Sequence, residues 1–255
     1  MMPRFRNLYL GLVYGFLYLP MGLLIANSFN ASKYDTRWEG STLVWYHNLL
    51  AEDALLEAAR NSLAVAVLAA SLATLIGTLG AIGLNRYAFR GRTLIQGLLF
   101  VTLMSPDIVI GVSLLVLFIA IRMDLGFGSL LLAHTTFCIP IVVVTVMARL
   151  KDFDSRLIEA AEDLGASEGR AVRHVILPLA LPAVAAGWLL SFTLSLDDVV
   201  VSFFVTGPGF EVLPLRIYSM VRLGVKPEVN ALATLLFTVS LLLVTASRLL
   251  LGKQQ

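Results

Sequence analysis

The sequence predicts an all-α membrane protein with six transmembrane helices. Three observations predict it. Of 255 residues, 58% are hydrophobic and 14% charged, with a mean hydropathy of +0.85; a soluble domain carries about 25% charged residues. Six apolar stretches, at about 8–28, 62–85, 94–120, 129–148, 180–206 and 229–251, are long enough for the roughly 20 residues that cross a bilayer core. The basic residues also alternate between loops. Arg4, Arg6, Arg86, Arg90, Arg92, Arg149, Lys151, Arg156, Arg170, Arg173, Arg248 and Lys253 fall on one side. Lys33, Arg37, Arg60, Arg122, Arg216, Arg222 and Lys226 are spread over longer loops on the other. This 12 to 7 asymmetry puts both termini and the loop between the fourth and fifth helices in the cytoplasm.

The first stretch follows Arg4 and Arg6. Its apolar run exceeds the 7–15 residues typical of a cleaved signal, and no small-x-small site follows, so it is expected to stay as a helix. Residues 41–60 are amphipathic, with Leu49, Leu50, Leu55 and Leu56 against Glu52, Asp53 and Glu57. They are expected to lie on the outer membrane surface before Asn61-Ser62 opens the second helix. Pro106 predicts a kink near the middle of the third helix. The fourth carries His134, expected as hydrogen-bonded packing, and Cys138, expected as inert packing. A single cysteine supports no disulfide framework, and His47 and His174 have no metal-like spacing. The fifth helix is expected to begin just after Pro178 and Pro182. The segment from Gly207 to Glu228, with Pro208, Pro214 and Pro227, reads as a broken external loop before the sixth helix. Together with residues 29–60 it is a candidate docking surface, with Arg216, Arg222 and Lys226 available to acidic groups.

One polar run stands apart. EAAEDLGASEGRAVRHVILP, from Glu159 to Pro178, is too polar to cross a bilayer, yet membrane-length segments flank it. Its spacing predicts a helix, a turn at Gly165 and a second helix N-capped by Ser167 and stopped near Pro178. Ala160 and Ala161 keep the first helix slim, and Glu159 suits a basic or helix N-terminal site on a soluble partner. No G-x-x-x-x-G-K-[ST] phosphate loop occurs; upstream of Gly252-Lys253, position 247 is Ser. Any ATP-driven work must come from another chain.

Glu159-Ala160-Ala161, three residues, Gly165, nine residues, Val175, one residue and Leu177-Pro178 resemble the signature of binding-protein-dependent ABC transporter permeases, with Val175 in place of the more usual Ile. The resemblance runs from about Glu57 to Arg248. It narrows to spermidine and putrescine permeases through Asn27–Ser32, Met104–Val109, Ser191–Gly209 and Leu213–Thr234. It implies a type I ABC importer permease fold. Residues 1–56 would hold the first helix and an outer amphipathic segment, 57–248 the core with its coupling loop at 149–178, and 249–255 a short cytoplasmic tail. It also implies a bacterial inner-membrane location, a second homologous permease, two cytoplasmic ATPase subunits and a periplasmic polyamine-binding protein. The chain itself would be non-catalytic and without a cofactor, ATP and Mg residing on the ATPases. Glu159, Ala160, Ala161, Gly165, Leu177 and Pro178 would form the ATPase-coupling element.

Asp107, Asp197 and Asp198 fall inside predicted helices, where a carboxylate costs about 2.5–3.5 kcal/mol on insertion scales and marks a polar path or partner. Ser191, Ser195, Asp198 and Ser202 recur at i, i+4, i+7 and i+11, one stripe of a helix; Asp197 points about 100° away. One aspartate is therefore expected to line a path with the serines and the other to meet a neighbouring helix. Trp188, Phe192, Phe203 and Tyr218 are candidate cation–π partners for a polyamine. An ion-coupled secondary transporter also explains the acids but not the hairpin, and no inverted repeat is visible. An intramembrane aspartyl protease needs two apposed carboxylates. Adjacent Asp197 and Asp198 cannot face each other, which leaves Asp107 to oppose one of them, but none of the three stands in the Tyr-Asp or Gly-x-Gly-Asp context of that class.

Overall fold

A computed structural model describes residues 3–33, 37–151, 153, 156–222 and 227–251, with side chains described outside 3–6, 162, 239–240 and 243–251. The expectations for Lys226 and Lys253, and for the side chains of Arg4, Arg6 and Arg248, lie outside the described residues. Its helices are α1 (Pro3–Asn27), α2 (Val44–Leu50), α3 (Asp53–Arg86), α4 (Arg92–Met104), α5 (Asp107–Ala120), α6 (Phe127–Lys151), α7 (Arg156–Asp163), α8 (Glu168–Ala171), α9 (Leu177–Asp197), α10 (Val200–Val205), α11 (Leu213–Arg222) and α12 (Pro227–Leu251). Among the described residues, four helices and one bent pair are long and apolar enough to span a bilayer. The sixth expected stretch coincides with α12.

The chain divides into two compact units, Met1–Leu56 with Arg216–Gln255, and Glu57–Leu215. α12 belongs to the first unit with α1 and α2, and α3 from Glu57 onward, with α4 to α10, belongs to the second. In the first unit α12 packs against α2 and α1. The loop after α1 is tied down by Asn30, whose Oδ1 accepts from the Ser32 and Glu39 backbone N–H groups and whose carbonyl accepts from Trp45 Nε1 at 2.7 Å.

The second unit is built on close helix crossings through small residues. A Cβ on Gly77 of α3 would meet Val142 Cβ of α6 at 2.7 Å, and one on Gly187 of α9 would meet Val142 Cγ1 at 3.4 Å. Ala73, Ala81, Cys138, Val142, Val146 and Ala180 form the surrounding core. Without a hydrophobic drive between helices in lipid, such close approach is what holds them together. A second core gathers Val65, Phe118, Leu130, Ala133, Val201 and Val205. There Gly111 of α5 leaves room for Phe204, whose ring would lie 2.8 Å from an added Cβ.

The structure departs from the sequence expectations at five places. The third stretch is not kinked but broken: α4 and α5 meet at 113°, because Pro106 supplies no N–H and holds Ser105 extended at ψ 137°. The fifth stretch does not run unbroken over 180–206. It starts at Leu177, with Pro178 in the first turn, where no N–H is needed. It ends at Asp197, and α10 restarts at Val200. The second helix starts at Asp53, so Asn61-Ser62 lies inside it. Asn61 Nδ2 donates to the Glu211 carbonyl at 3.0 Å and Ser62 Oγ accepts from Leu213 N–H at 2.7 Å. The supposed loop from Gly207 to Glu228 contains α11. Finally, the second helix of the polar hairpin does not stop at Pro178; it passes through a π-turn at Val172–Ile176 straight into α9.

Candidate functional site

Both helix breaks open onto one cavity of about 510 Å³. Asp107, Asp197 and Asp198 all line it, with Thr102, Ser105 and Phe137. The last turns of α4 and α9 end there, and α5 and α10 begin there. Helix C-termini carry partial negative charge and N-termini partial positive charge. Asp107 sits in the first turn of α5. Asp198 caps α10: Oδ1 accepts from Val201 N–H at 3.2 Å and Oδ2 from Ser202 N–H at 2.7 Å. Each positive helix end thus meets a carboxylate, and Asp197, exposed to the cavity, is left over. Among the described residues neither Asp107 nor Asp197 has a Lys or Arg partner. Two helix C-termini and surplus carboxylate give this cavity a negative potential.

The serine stripe does not line this cavity. With the helix broken at Asp198-Val199, Ser195 and Ser202 turn to His134 of α6, whose Nδ1 lies 2.7 Å from Ser195 Oγ and Nε2 3.1 Å from Ser202 Oγ. His134 is 1% exposed, and Nε2 also lies 3.5 Å from Asp198 Oδ2. Ser191 is buried beside Cys138, its Oγ without a partner. Trp188 lies elsewhere on α9, stacked on Phe192 at 5.3 Å and donating to Ser71 Oγ at 3.1 Å in a separate groove. Tyr218 is exposed on α11, in the other unit. Among the described residues no three His, Cys, Asp or Glu are grouped to hold a metal.

The polar hairpin is the second candidate site. Glu159, Ala160 and Ala161 lie on α7, and the chain reverses at Gly165, whose φ is +82°. Ala166 N–H donates to the Ala161 carbonyl at 3.0 Å and Leu164 N–H to Ala160 at 3.2 Å. This is a glycine-closed helix end, in which the residue after the glycine reaches back to the last turn. It explains why Gly165 must follow Ala161 by four positions. Ile158 packs inward on the core, while Glu159 is exposed and Leu164 at the tip is 89% exposed. Ser167 takes the N-cap position, but its hydroxyl caps nothing and accepts from Arg170 Nε instead. Glu168 ties the hairpin to the end of α3, its Oε1 accepting from Arg86 Nε at 3.1 Å and Tyr87 hydroxyl at 2.7 Å. That hydrogen bond to the Glu168 carboxylate is the first cause of a Tyr87 hydroxyl pKa above its ordinary value. Leu177 and Pro178 lead the hairpin into α9.

His134 is hydrogen-bonded as the sequence led one to expect, but its partners, 61 and 68 residues away, have no local signature. The break at Asp198 had a usable signal: Asp readily accepts from the first N–H groups of a helix, and it stands one residue ahead of the N-cap position at Val199 and the apolar run VVSFFV.

Residues 73–254 match the family model described as binding-protein-dependent transport system inner membrane component. Over 245 residues the chain is 59% identical to the spermidine/putrescine transport system permease protein PotC of Escherichia coli (strain K12), covering 96% of this chain and 93% of that protein. It is 44% identical over 238 residues to the putrescine transport system permease protein PotI of the same strain, covering 91% and 85%. A solved bacterial ABC transporter involved in the import of the acidic polysaccharide alginate shares the fold, with a TM-score of 0.75 at 15% identity over 96% of this chain and 93% of that chain.

Proposed function

The chain belongs to the binding-protein-dependent transport system inner membrane components, multi-pass permease subunits that are not themselves enzymes, and from that premise we propose that it is the gate of an ATP-driven polyamine importer. The observation that carries this reading is the convergence of Asp107, Asp197 and Asp198 on one cavity between two helix breaks. A polyamine is a flexible chain of separated ammonium groups. Asp107 and Asp197 offer it charge without competing protein cations, while Asp198 is partly engaged in capping α10. Names of relatives that include spermidine and putrescine support this substrate class.

In this reading the substrate passes between the chain and a second, related permease after delivery by a periplasmic binding protein. Residues 1–56 and 57–248 act as added helix and core, with both termini and the hairpin in the cytoplasm. The exposed tip at Leu164, flanked by Glu159 and Gly165, seats in one of the two ATPase subunits, which hold the ATP and Mg, and the second permease's hairpin seats in the other. Nucleotide binding there draws the hairpins together. Because the hairpin continues through the π-turn into α9, its displacement acts on the helix that ends at Asp197. Ser191, Ser195 and Ser202 shape the wall behind the carboxylates; Trp188 and Tyr218 serve as aromatic contacts for the substrate.

Asp197→Asn tests the reading. An ammonium about 4 Å from the carboxylate gains about 1 kcal/mol in water and about 4 kcal/mol at a partly buried site. In vesicles holding the assembled importer, the KM for polyamine is expected to rise about tenfold or more. An unchanged KM sinks the cavity as the cation's path. Uptake abolished by an uncoupler yet indifferent to ATP would favour the ion-coupled alternative.

A further inference from the structure

We propose that His134 is the positioning residue of the carboxylate cavity, a role that rests on reading this cavity as the cation's path. His134 stands on α6, which is unbroken where α9 and α10 are not. Its two ring nitrogens hold Ser195, in the last turn of α9, and Ser202, in α10, at 2.7 and 3.1 Å. In a straight helix residues seven apart are separated by about 10.5 Å of rise; the break is what brings both hydroxyls to one imidazole. All three side chains are buried. An unpaired polar group at this depth is costly, so the three hold one another in a single arrangement.

The imidazole thereby fixes the two residues that bracket Asp197-Asp198. Ser195 sets the direction in which α9 ends, and Ser202 anchors the turn that Asp198 caps. Asp197 is exposed and has no partner of its own among the described residues; its aim follows from these two neighbours. His134 does not line the cavity and touches no substrate. It acts through the backbone it holds and through Asp198, whose Oδ2 lies 3.5 Å from Nε2. A histidine that merely filled space against Phe137 would need neither hydroxyl.

The test is polyamine uptake by the assembled importer in vesicles. His134→Phe keeps the ring's bulk and removes both hydrogen bonds; the KM is expected to rise about tenfold, while the maximal rate changes less than about twofold. His134→Gln restores a donor and an acceptor and should recover most of the loss. If His134→Phe does not accumulate, Ser195→Ala removes one bond with the ring left in place, and its KM should rise about threefold or more. A KM within about twofold of the parent for these variants, a fall in maximal rate alone, or a Gln variant no better than Phe overturns the proposal. Asp197→Asn separates the failures. If it raises the KM and the His134 variants do not, only the positioning role is lost; if it too leaves the KM unchanged, the cavity reading has fallen first.

Discussion

Replacing Asp198 by alanine removes two acceptor oxygens from the start of α10. Val201 and Ser202, whose N–H groups they receive at 3.2 and 2.7 Å, are 2% and 0% exposed. Loss of an N-cap side chain costs about 0.5–2 kcal/mol, and each donor left unpaired away from water costs about 1–3 kcal/mol. The residues' depth puts Asp198→Ala near the upper part of that span, about 2–4 kcal/mol. Asparagine keeps one acceptor oxygen and turns its NH2 toward the other N–H, so Asp198→Asn loses the charge and one of the two bonds and should cost about 1–2 kcal/mol. Unfolding of the detergent-purified chain, followed by circular dichroism, reads the difference; the alanine variant should melt roughly 5–10 °C below the parent and the asparagine variant a few degrees below. Two variants melting together at the parent's temperature would show that the carboxylate does not hold the break. In uptake measurements on the asparagine variant, a raised KM with near-parent stability means Asp198 also serves the cation.

Further outcomes follow from single positions. Gly165 has φ +82° and nothing within 4 Å of an added Cβ, so Gly165→Ala pays only the left-handed penalty of about 1–2 kcal/mol, whereas Gly165→Pro cannot adopt that φ; co-purification should show weakened ATPase binding, more so for proline, and Glu159→Lys should weaken it without altering the turn. At Gly207 an added Cβ would fall 2.0 Å from the Leu125 carbonyl oxygen, a backbone atom that cannot yield, so Gly207→Ala should cost about 3 kcal/mol, read as lost abundance and an earlier melt. Arg216 donates to Glu52 at 2.7 Å with the two side chains 29% and 35% exposed; a double-mutant cycle of Arg216→Gln and Glu52→Gln should return about 0.2–1 kcal/mol of coupling.

Arg216 illustrates how far a sequence reading reaches. As an external basic residue it was a candidate for pairing with a partner; in the fold Glu52 already occupies it. A charge's sequence position does not reveal which distant acid the topology delivers to it. Asn61 and Ser62 teach the same lesson, for their polar side chains suggested a helix start but in fact hold the backbone at Glu211 and Leu213 from within α3.

What the chain alone determined is its character as a helical membrane protein, the helix-glycine spacing of its hairpin and the presence of costly acids in its apolar stretches. Those properties depend on local quantities: hydropathy over some twenty residues, the fixed offset between a helix end and its glycine, and the price of a carboxylate in lipid. Only the tertiary structure decided that the α4–α5 and α9–α10 breaks meet at one cavity, that Asp107 joins the Asp197-Asp198 pair 90 residues further on, and that the serines turn to His134 instead. A helix break becomes stable when a neighbouring helix satisfies the backbone and side chains it frees, and that neighbour, α6, is chosen by the packing of Gly77, Val142 and Gly187, not by any sequence near Asp198.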